Sequence, residues 1–135
     1  MKHFKLEELV DKNTFETMGN KAWGFFTEDA LFALDDLREF FNAHITINDW
    51  HRGGSMQWRG YRSPSCPIGA KSSQHRLGNA FDCTIQGHTA EEARAEILAH
   101  QDDELLKRIM RLEADKSWVH FDCKEVTNRI KLFEA

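Results

Sequence analysis

The sequence feature that most constrains the fold is a short segment in the middle of the chain, Ser-Gln-His-Arg-Leu-Gly-Asn-Ala-Phe-Asp. It places the imidazole of His75 and the carboxylate of Asp82 seven residues apart, with the small residues Gly78 and Ala80 between them. Larger side chains at the two small positions would hinder the tight backbone path that brings the polar groups together. The segment therefore predicts a turn that directs both side chains toward one point.

A second segment nearer the carboxyl end, Trp-Val-His-Phe-Asp, offers a third polar group at His120. Imidazole nitrogen and carboxylate oxygen are common zinc ligands, and three protein ligands leave a fourth position open, as in catalytic zinc sites. We predict that His75, Asp82 and His120 bind one Zn²⁺ ion. This ligand set would leave a net charge of about +1, which keeps a bound water acidic enough to act as a nucleophile near neutral pH. The sequence therefore predicts a metallohydrolase.

Together with Gly-Tyr-Arg-Ser-Pro at residues 60–64, these segments resemble the sequence blocks of the zinc D-Ala-D-Ala carboxypeptidase and L-alanyl-D-glutamate endopeptidase family. The blocks lie between Trp50 and Cys123 and follow the order typical of the family. The resemblance implies the α+β fold of the Hedgehog/D,D-peptidase superfamily and one zinc ion. It also implies an enzyme that hydrolyses a peptide bond in the stem peptides of bacterial peptidoglycan.

Two capped segments predict the main helices. Thr27 is a good N-cap, and the leucines and phenylalanines that follow it recur at helical spacing. Thr89 and Glu92 form a capping-box pair ahead of a second helix. A further short helix is predicted to begin at residues 102–104.

Alternating apolar residues predict the strands. Residues 45–47 are typical of a short strand, and the runs 108–113 and 117–123 are typical of a β-hairpin connected by residues 114–116. The sequence has no repeat and no low-complexity segment, which favours one domain over residues 1–135. We therefore expect an α+β domain of the Hedgehog/D,D-peptidase type, with helices packed on a small antiparallel sheet.

A zinc peptidase also needs a general base, and the candidates are Glu113 and Asp115. Several relatives have an acid three residues before the last histidine, where this chain has Ser117. If the four residues after Glu113 form a hairpin turn, Glu113 pairs with Trp118 and both share the face of His120, whereas Asp115 lies at the exposed turn. We favour Glu113 over Asp115 and leave open that neither is the base.

Two further residues are candidates for substrate binding. The guanidinium of Arg62 can bind a carboxylate or a polarised carbonyl oxygen. The resemblance assigns the counterpart of Arg62 to substrate binding and transition-state stabilisation. Ser73, two residues before His75, has a hydroxyl that could contact the substrate or cap the turn.

Composition and patterning argue against several other functions. The formal charge is −4 and the basic residues are scattered, which disfavours a nucleic-acid partner. The segment after Met1 contains acids where a secretory signal needs an apolar run, and no stretch approaches membrane-spanning length. The three cysteines are an odd number, and alternation places Cys83 and Cys123 off the face of the metal ligands. We expect free thiols and a monomer made in the cytoplasm, with no membrane partner.

The resemblance also bears on origin. Small members of the family without signals often come from phages or prophages, as lysis enzymes or virion parts, so we expect action on the cell wall after release or as a phage component. Two alternative functions stay open. Ser117 in place of the expected acid is compatible with a zinc-containing binding module that lacks turnover. A virion structural domain whose metal holds the fold is the other.

Overall fold

The computed structural model describes residues 1–69 and 73–134 of the 135-residue chain. The described part contains three α-helices and five β-strands, joined by loops and short 3₁₀ helices. The helices are α1 (Lys12–Met18), α2 (Glu28–Phe41) and α3 (Ala90–Ala99). The strands are β1 (Ile45–Thr46), β2 (Ala80–Ile85), β3 (Arg111–Glu113), β4 (Val119–Asp122) and β5 (Lys131–Phe133). The predicted α+β class is confirmed.

The two long helices begin where the sequence predicts. The hydroxyl of Thr27 accepts a hydrogen bond from the first turn of α2, and Thr89 and Glu92 form a complete capping box at α3. The predicted short helix is a 3₁₀ helix at Glu104–Leu106. Among the described residues, no helix combines the length and the apolar character needed to cross a bilayer.

The five strands form one sheet in the order β1-β2-β4-β3-β5. The first three pairings are antiparallel, as predicted, but β5 runs parallel to β3, so the expectation of a purely antiparallel sheet is wrong. The reason lies in the connection that leads from β4 back to the edge of the sheet. Its last part is anchored by Arg129, whose guanidinium donates hydrogen bonds to the carbonyls of Gln101, Leu106 and Ile109.

The β3–β4 hairpin has a different register from the predicted one. Leu112 pairs with Phe121, and continuation of this register sets Glu113 opposite His120 rather than Trp118. The predicted four-residue turn is therefore too short. Because side chains alternate with a period of two, a shift of two residues keeps Glu113 on the face of His120.

The two faces of the central sheet differ in chemistry. One face packs with α2 and α3 into a hydrophobic core whose centre is fully buried and includes Leu34, Leu37, Phe81, Ile97 and Phe121. The residues between these apolar positions point to the other face, since neighbouring side chains of a strand alternate. That face carries acidic and histidine side chains that are also buried. Buried polar groups need partners, and the partners here are mainly one another.

Candidate metal centre

The three predicted metal ligands lie together at the polar face of the sheet. His75 is in a 3₁₀ helix (Gln74–Leu77), while Asp82 on β2 and His120 on β4 are direct cross-strand partners. Asp82 Oδ1 lies 3.1 Å from His75 Nε2 and 2.9 Å from His120 Nδ1. All three residues are buried, and their donor atoms lie within 4.8 Å of one another. This group could hold a metal ion.

The turn between the first two ligands depends on Gly78. Its φ of +66° is in the left-handed region, and a Cβ at this position would overlap the carbonyl oxygen of Phe25. The carbonyl of Gly78 also accepts a hydrogen bond from the Thr27 N–H at 3.0 Å. The segment is thus pressed against the start of α2, which fixes where β2 begins and where Asp82 points. Tight packing at this glycine agrees with its predicted role.

We expect Gly78→Ala to lower the free energy of unfolding by about 2 to 4 kcal/mol, because it adds a steric clash to an unfavourable φ. Gly87→Ala is the matched control. Gly87 also has a positive φ, +83°, but a Cβ there has no atom within 4 Å, so its cost should be about 1 kcal/mol. Urea unfolding of both variants measures the difference. Equal losses would contradict the account of the turn.

Each histidine has a partner for the nitrogen that faces away from Asp82. His75 Nδ1 donates to the Gly60 carbonyl oxygen at 2.9 Å, which directs Nε2 toward Asp82. His120 Nε2 lies 2.9 Å from Asp122 Oδ2, which directs Nδ1 toward Asp82. Carbonyl and carboxylate partners of this kind orient the histidine ligands of metal sites. The donor set and its supporting hydrogen bonds therefore fit a metal ion.

Asp122 belongs to the site although the sequence analysis did not include it. It is fully buried, and Arg111 donates two hydrogen bonds to its carboxylate at 2.9 and 2.8 Å. The guanidinium of Arg111 also stacks 3.8 Å from the ring centroid of Phe133. One signal was present in the sequence. An acid two residues after His120 must share its strand face.

The metal-free site is strongly polarised. Burial alone would raise the pKa of Asp82, but the hydrogen bonds and charges of His120 and His75 hold that pKa well below its usual range. Burial alone would lower the pKa of His120, whereas its contacts with Asp122 and Asp82 raise the pKa to about 9. When no metal ion is bound, we therefore expect His120 to be protonated at neutral pH.

This proton predicts a pH dependence of stability for the metal-free protein. A group whose pKa is raised on folding, here from 6.5 to about 9, stabilises the fold below the lower value, and this stability is lost as pH rises through the higher one. With chelator present, the free energy of unfolding should fall by about 2 kcal/mol between about pH 6 and about pH 8.5. Urea titrations at several pH values measure this fall in the free energy of unfolding. His120→Gln should abolish this slope, and a slope that persists in that variant would contradict the assignment.

Arg62 and Glu113 border the same cavity as the ligands, which has a volume of about 490 Å³. Arg62 Nη2 lies 3.3 Å from Asp82 Oδ2, and its Nε donates to the Trp58 carbonyl oxygen at 2.8 Å. Glu113 is 9 % exposed, and its Oε2 lies 3.9 Å from His120 Nδ1. The structure thus brings both predicted residues to the candidate metal centre.

The other two candidate residues, Ser73 and Asp115, differ in their distance from the ligand cluster. Ser73 lines the cavity, and its hydroxyl accepts a hydrogen bond from the His75 N–H at 3.2 Å, so it caps the turn while staying within reach of a ligand. Asp115 is exposed, has a positive φ of 61°, and does not line this cavity. The structure therefore does not bring Asp115 to the metal centre.

The cysteines lie apart from the cluster. Cys66, Cys83 and Cys123 are free thiols, as expected. Burial raises the pKa of the Cys83 thiol well above its usual range and that of Cys123 to about 12. A reactive cysteine needs a lowered pKa. Neither of these two residues therefore suits a nucleophile.

Comparison with known proteins gives no information on function, so the functional assignment depends on the geometry of the site. No family model, curated protein or solved structure matches this chain. The geometry supplies three facts that bear on function: a buried two-histidine, one-carboxylate cluster, a buried carboxylate beside it at Glu113, and a guanidinium beside it at Arg62.

Proposed function

We propose that this chain is a zinc peptidase that hydrolyses a peptide bond in peptidoglycan stem peptides, with D,D-carboxypeptidase or L-Ala-D-Glu endopeptidase activity. The observation that supports it most is Glu113, which lies in the cavity of the ligand cluster and faces His120. A cluster that only held a fold together would not need a further carboxylate at its open side. The substrate class comes from the family resemblance, as does action on the cell wall after release or from a phage particle.

His75, Asp82 and His120 would hold the ion. Two imidazoles and one carboxylate suit zinc, although the same donors also occur in non-haem iron sites. The neighbouring acid and the resemblance favour zinc. When bound, zinc would polarise the scissile carbonyl and make a water molecule more acidic. Metal analysis of the purified protein distinguishes zinc from iron.

Glu113 is suited to move the proton. A general base must take a proton from the attacking water and then pass it to the leaving amine. Glu113 Oε2 faces His120, while its Oε1 lies 3.5 Å from Lys116 Nζ, so the carboxylate is held with one oxygen toward the ligand cluster. In this mechanism the Glu113 carboxylate shuttles the proton between water and the leaving nitrogen.

Arg62 is suited to bind oxygen atoms of the substrate. Its Nε is fixed by the Trp58 carbonyl, which leaves the outer nitrogens directed at the cavity beside Asp82. A preorganised guanidinium at this position would stabilise negative charge that develops on the scissile carbonyl oxygen. Ser73 also lines this cavity and would add a hydroxyl contact to the substrate.

We expect Asp122→Asn to weaken zinc binding about 10- to 100-fold, because Asp122 orients His120 through its Nε2. Asp36→Asn is the matched control, since Asp36 also pairs with an arginine, Arg108 at 3.0 Å, but lies outside the site. Competition with a chromophoric chelator measures both affinities. An unchanged affinity in Asp122→Asn would contradict the positioning role.

The two alternatives make different predictions. A zinc-containing binding module of the same fold, or a virion structural domain held together by its metal, would bind zinc without turnover and would be indifferent to Glu113→Gln. The buried position of Glu113 opposite His120 favours turnover. Zinc-dependent release of amino groups or D-alanine from purified peptidoglycan tests the peptidase function directly.

A further inference from the structure

A second cavity adjoins the metal centre. Its volume is about 510 Å³, within the range of ligand pockets, and it shares Arg62, Ile68, Asp82 and Trp118 with the first cavity. The two cavities therefore border each other at these four residues. A peptide whose scissile bond lies at the metal ligands would extend into the second cavity.

The surface of this second cavity is mainly apolar. Met56, Trp58, Ile68 and Trp118 line it. Among the lining residues that the structure describes, the only acid is Asp82, whose carboxylate is already engaged by His75 and His120. The cations among its described lining residues are Arg59 and Arg62. The lining thus combines aromatic walls with an excess of positive charge.

Of these two cations, Arg59 is the one that has no acidic partner in the described part of the chain. The residue is half-buried, and its Nη1 lies 3.2 Å from Met56 Sδ. The backbone, by contrast, is held firmly. Its N–H donates to Asn48 Oδ1 at 3.0 Å, and its carbonyl accepts from the N–H of Asp82 at 2.8 Å. The backbone of Arg59 is therefore fixed directly beside that of Asp82, so the Arg59 side chain starts from a defined position next to the ligand cluster.

We propose that Arg59 binds a carboxylate of the peptide substrate in this second cavity, an inference that rests on the proposed peptidase function. A half-buried arginine without an acidic partner favours an anion, and its planar fork matches a carboxylate. Arg62 lies at the boundary with Asp82, where it suits the scissile carbonyl oxygen. Arg59 lines the second cavity but not the first, and it takes the carboxylate. Substrate specificity then depends on a residue outside the sequence blocks of the resemblance.

The chemistry of stem peptides supplies such a carboxylate next to either scissile bond. When the bond between two D-alanines is cleaved, the leaving residue has its terminal carboxylate on the carbon that bears the leaving nitrogen. When the bond from L-alanine to γ-linked D-glutamate is cleaved, the leaving residue has a free α-carboxylate on the equivalent carbon. One arginine can therefore recognise both kinds of leaving residue.

The test uses the synthetic peptide L-Ala-γ-D-Glu-L-Lys-D-Ala-D-Ala, the same peptide amidated at its C-terminus, and the same peptide amidated at the D-Glu α-carboxyl. We expect one of the two amidations to lower kcat/KM of the zinc-loaded protein about 10- to 100-fold, the range for a hydrogen bond to a charged group. Arg59→Gln should lower kcat/KM for the unmodified peptide to the level of that amide. The same substitution should change kcat/KM for that amide by no more than about twofold. Arg59→Lys should recover part of the loss.

Arg52→Gln is the matched control, because Arg52 is exposed and lines neither cavity. If both amides are cleaved as well as the acid, or if Arg59→Gln lowers all three rates equally, Arg59 is not a carboxylate site. Calorimetric titration of the peptides into zinc-loaded Glu113→Gln protein, with and without Arg59→Gln, separates this inference from the proposed function. If the wild type cleaves no peptide, but the unmodified peptide binds and this binding is lost with Arg59→Gln, the carboxylate site is supported and the proposed peptidase function is contradicted.

Discussion

Glu113→Gln is expected to lower kcat/KM for a stem peptide by about 10²- to 10⁴-fold while one zinc ion stays bound per chain. Glutamine has nearly the shape of glutamate, so the cavity keeps its form, but the amide cannot accept the proton of the attacking water. Loss of turnover without loss of metal would identify Glu113 as the proton carrier. Amine release from the peptide and metal analysis of the same sample measure the two quantities.

Asp115→Asn is the comparison for this variant. Asp115 lies two residues beyond Glu113 in the exposed turn of the hairpin, and it does not line the cavity of the ligand cluster. Replacement of Asp115 should leave kcat/KM within about twofold of the wild-type value, as is usual for the substitution of an exposed residue away from the site. A large loss in Asp115→Asn combined with full activity in Glu113→Gln would reverse the assignment.

His75→Ala is expected to reduce bound zinc from one ion per chain to nearly none and to abolish turnover. The variant removes one of three ligands and leaves Asp82 Oδ1 with His120 alone. A site with two protein ligands holds zinc too weakly to survive dialysis, because each ligand adds to an affinity that depends on the complete set. Atomic absorption after dialysis measures the metal content.

The control for the ligand variant is His44→Ala, which removes an exposed histidine outside the cavity. Circular dichroism of both variants checks that the helices form. One zinc ion per chain in a folded His75→Ala protein would show that the metal binds elsewhere. The three-residue cluster would then not be the metal centre.

Local signals were sufficient to predict the long helices and the grouping of His75, Asp82 and His120. The capping residues Thr27 and Thr89 mark the starts of α2 and α3 by hydrogen bonds within one turn. His75 and Asp82 are close in sequence, so their spacing already restricts the turn between them. By contrast, α1 is short and buries only Thr14 among its residues, which gives no apolar stripe to detect.

Features that depend on distant pairing were not predictable in the same way. Strand β5 is mostly exposed, and its parallel pairing with β3 follows from a connection that the sequence pattern does not specify. The hairpin register sets Arg111 opposite Asp122, and only that pairing explains the two hydrogen bonds that hold the partner of His120. Arg59 likewise gains its significance from the cavity around it, because no local motif distinguishes it from other arginines.

The measurement that tests the central claim most directly is digestion of purified peptidoglycan by the zinc-loaded protein, by the chelated protein and by Glu113→Gln. We expect zinc-dependent hydrolysis by the wild type alone. Released D-alanine would identify a carboxypeptidase, and new amino groups without D-alanine would identify an endopeptidase. Stoichiometric zinc with no release of either product from peptidoglycan or defined stem peptides would contradict the peptidase and favour a zinc-containing binding module.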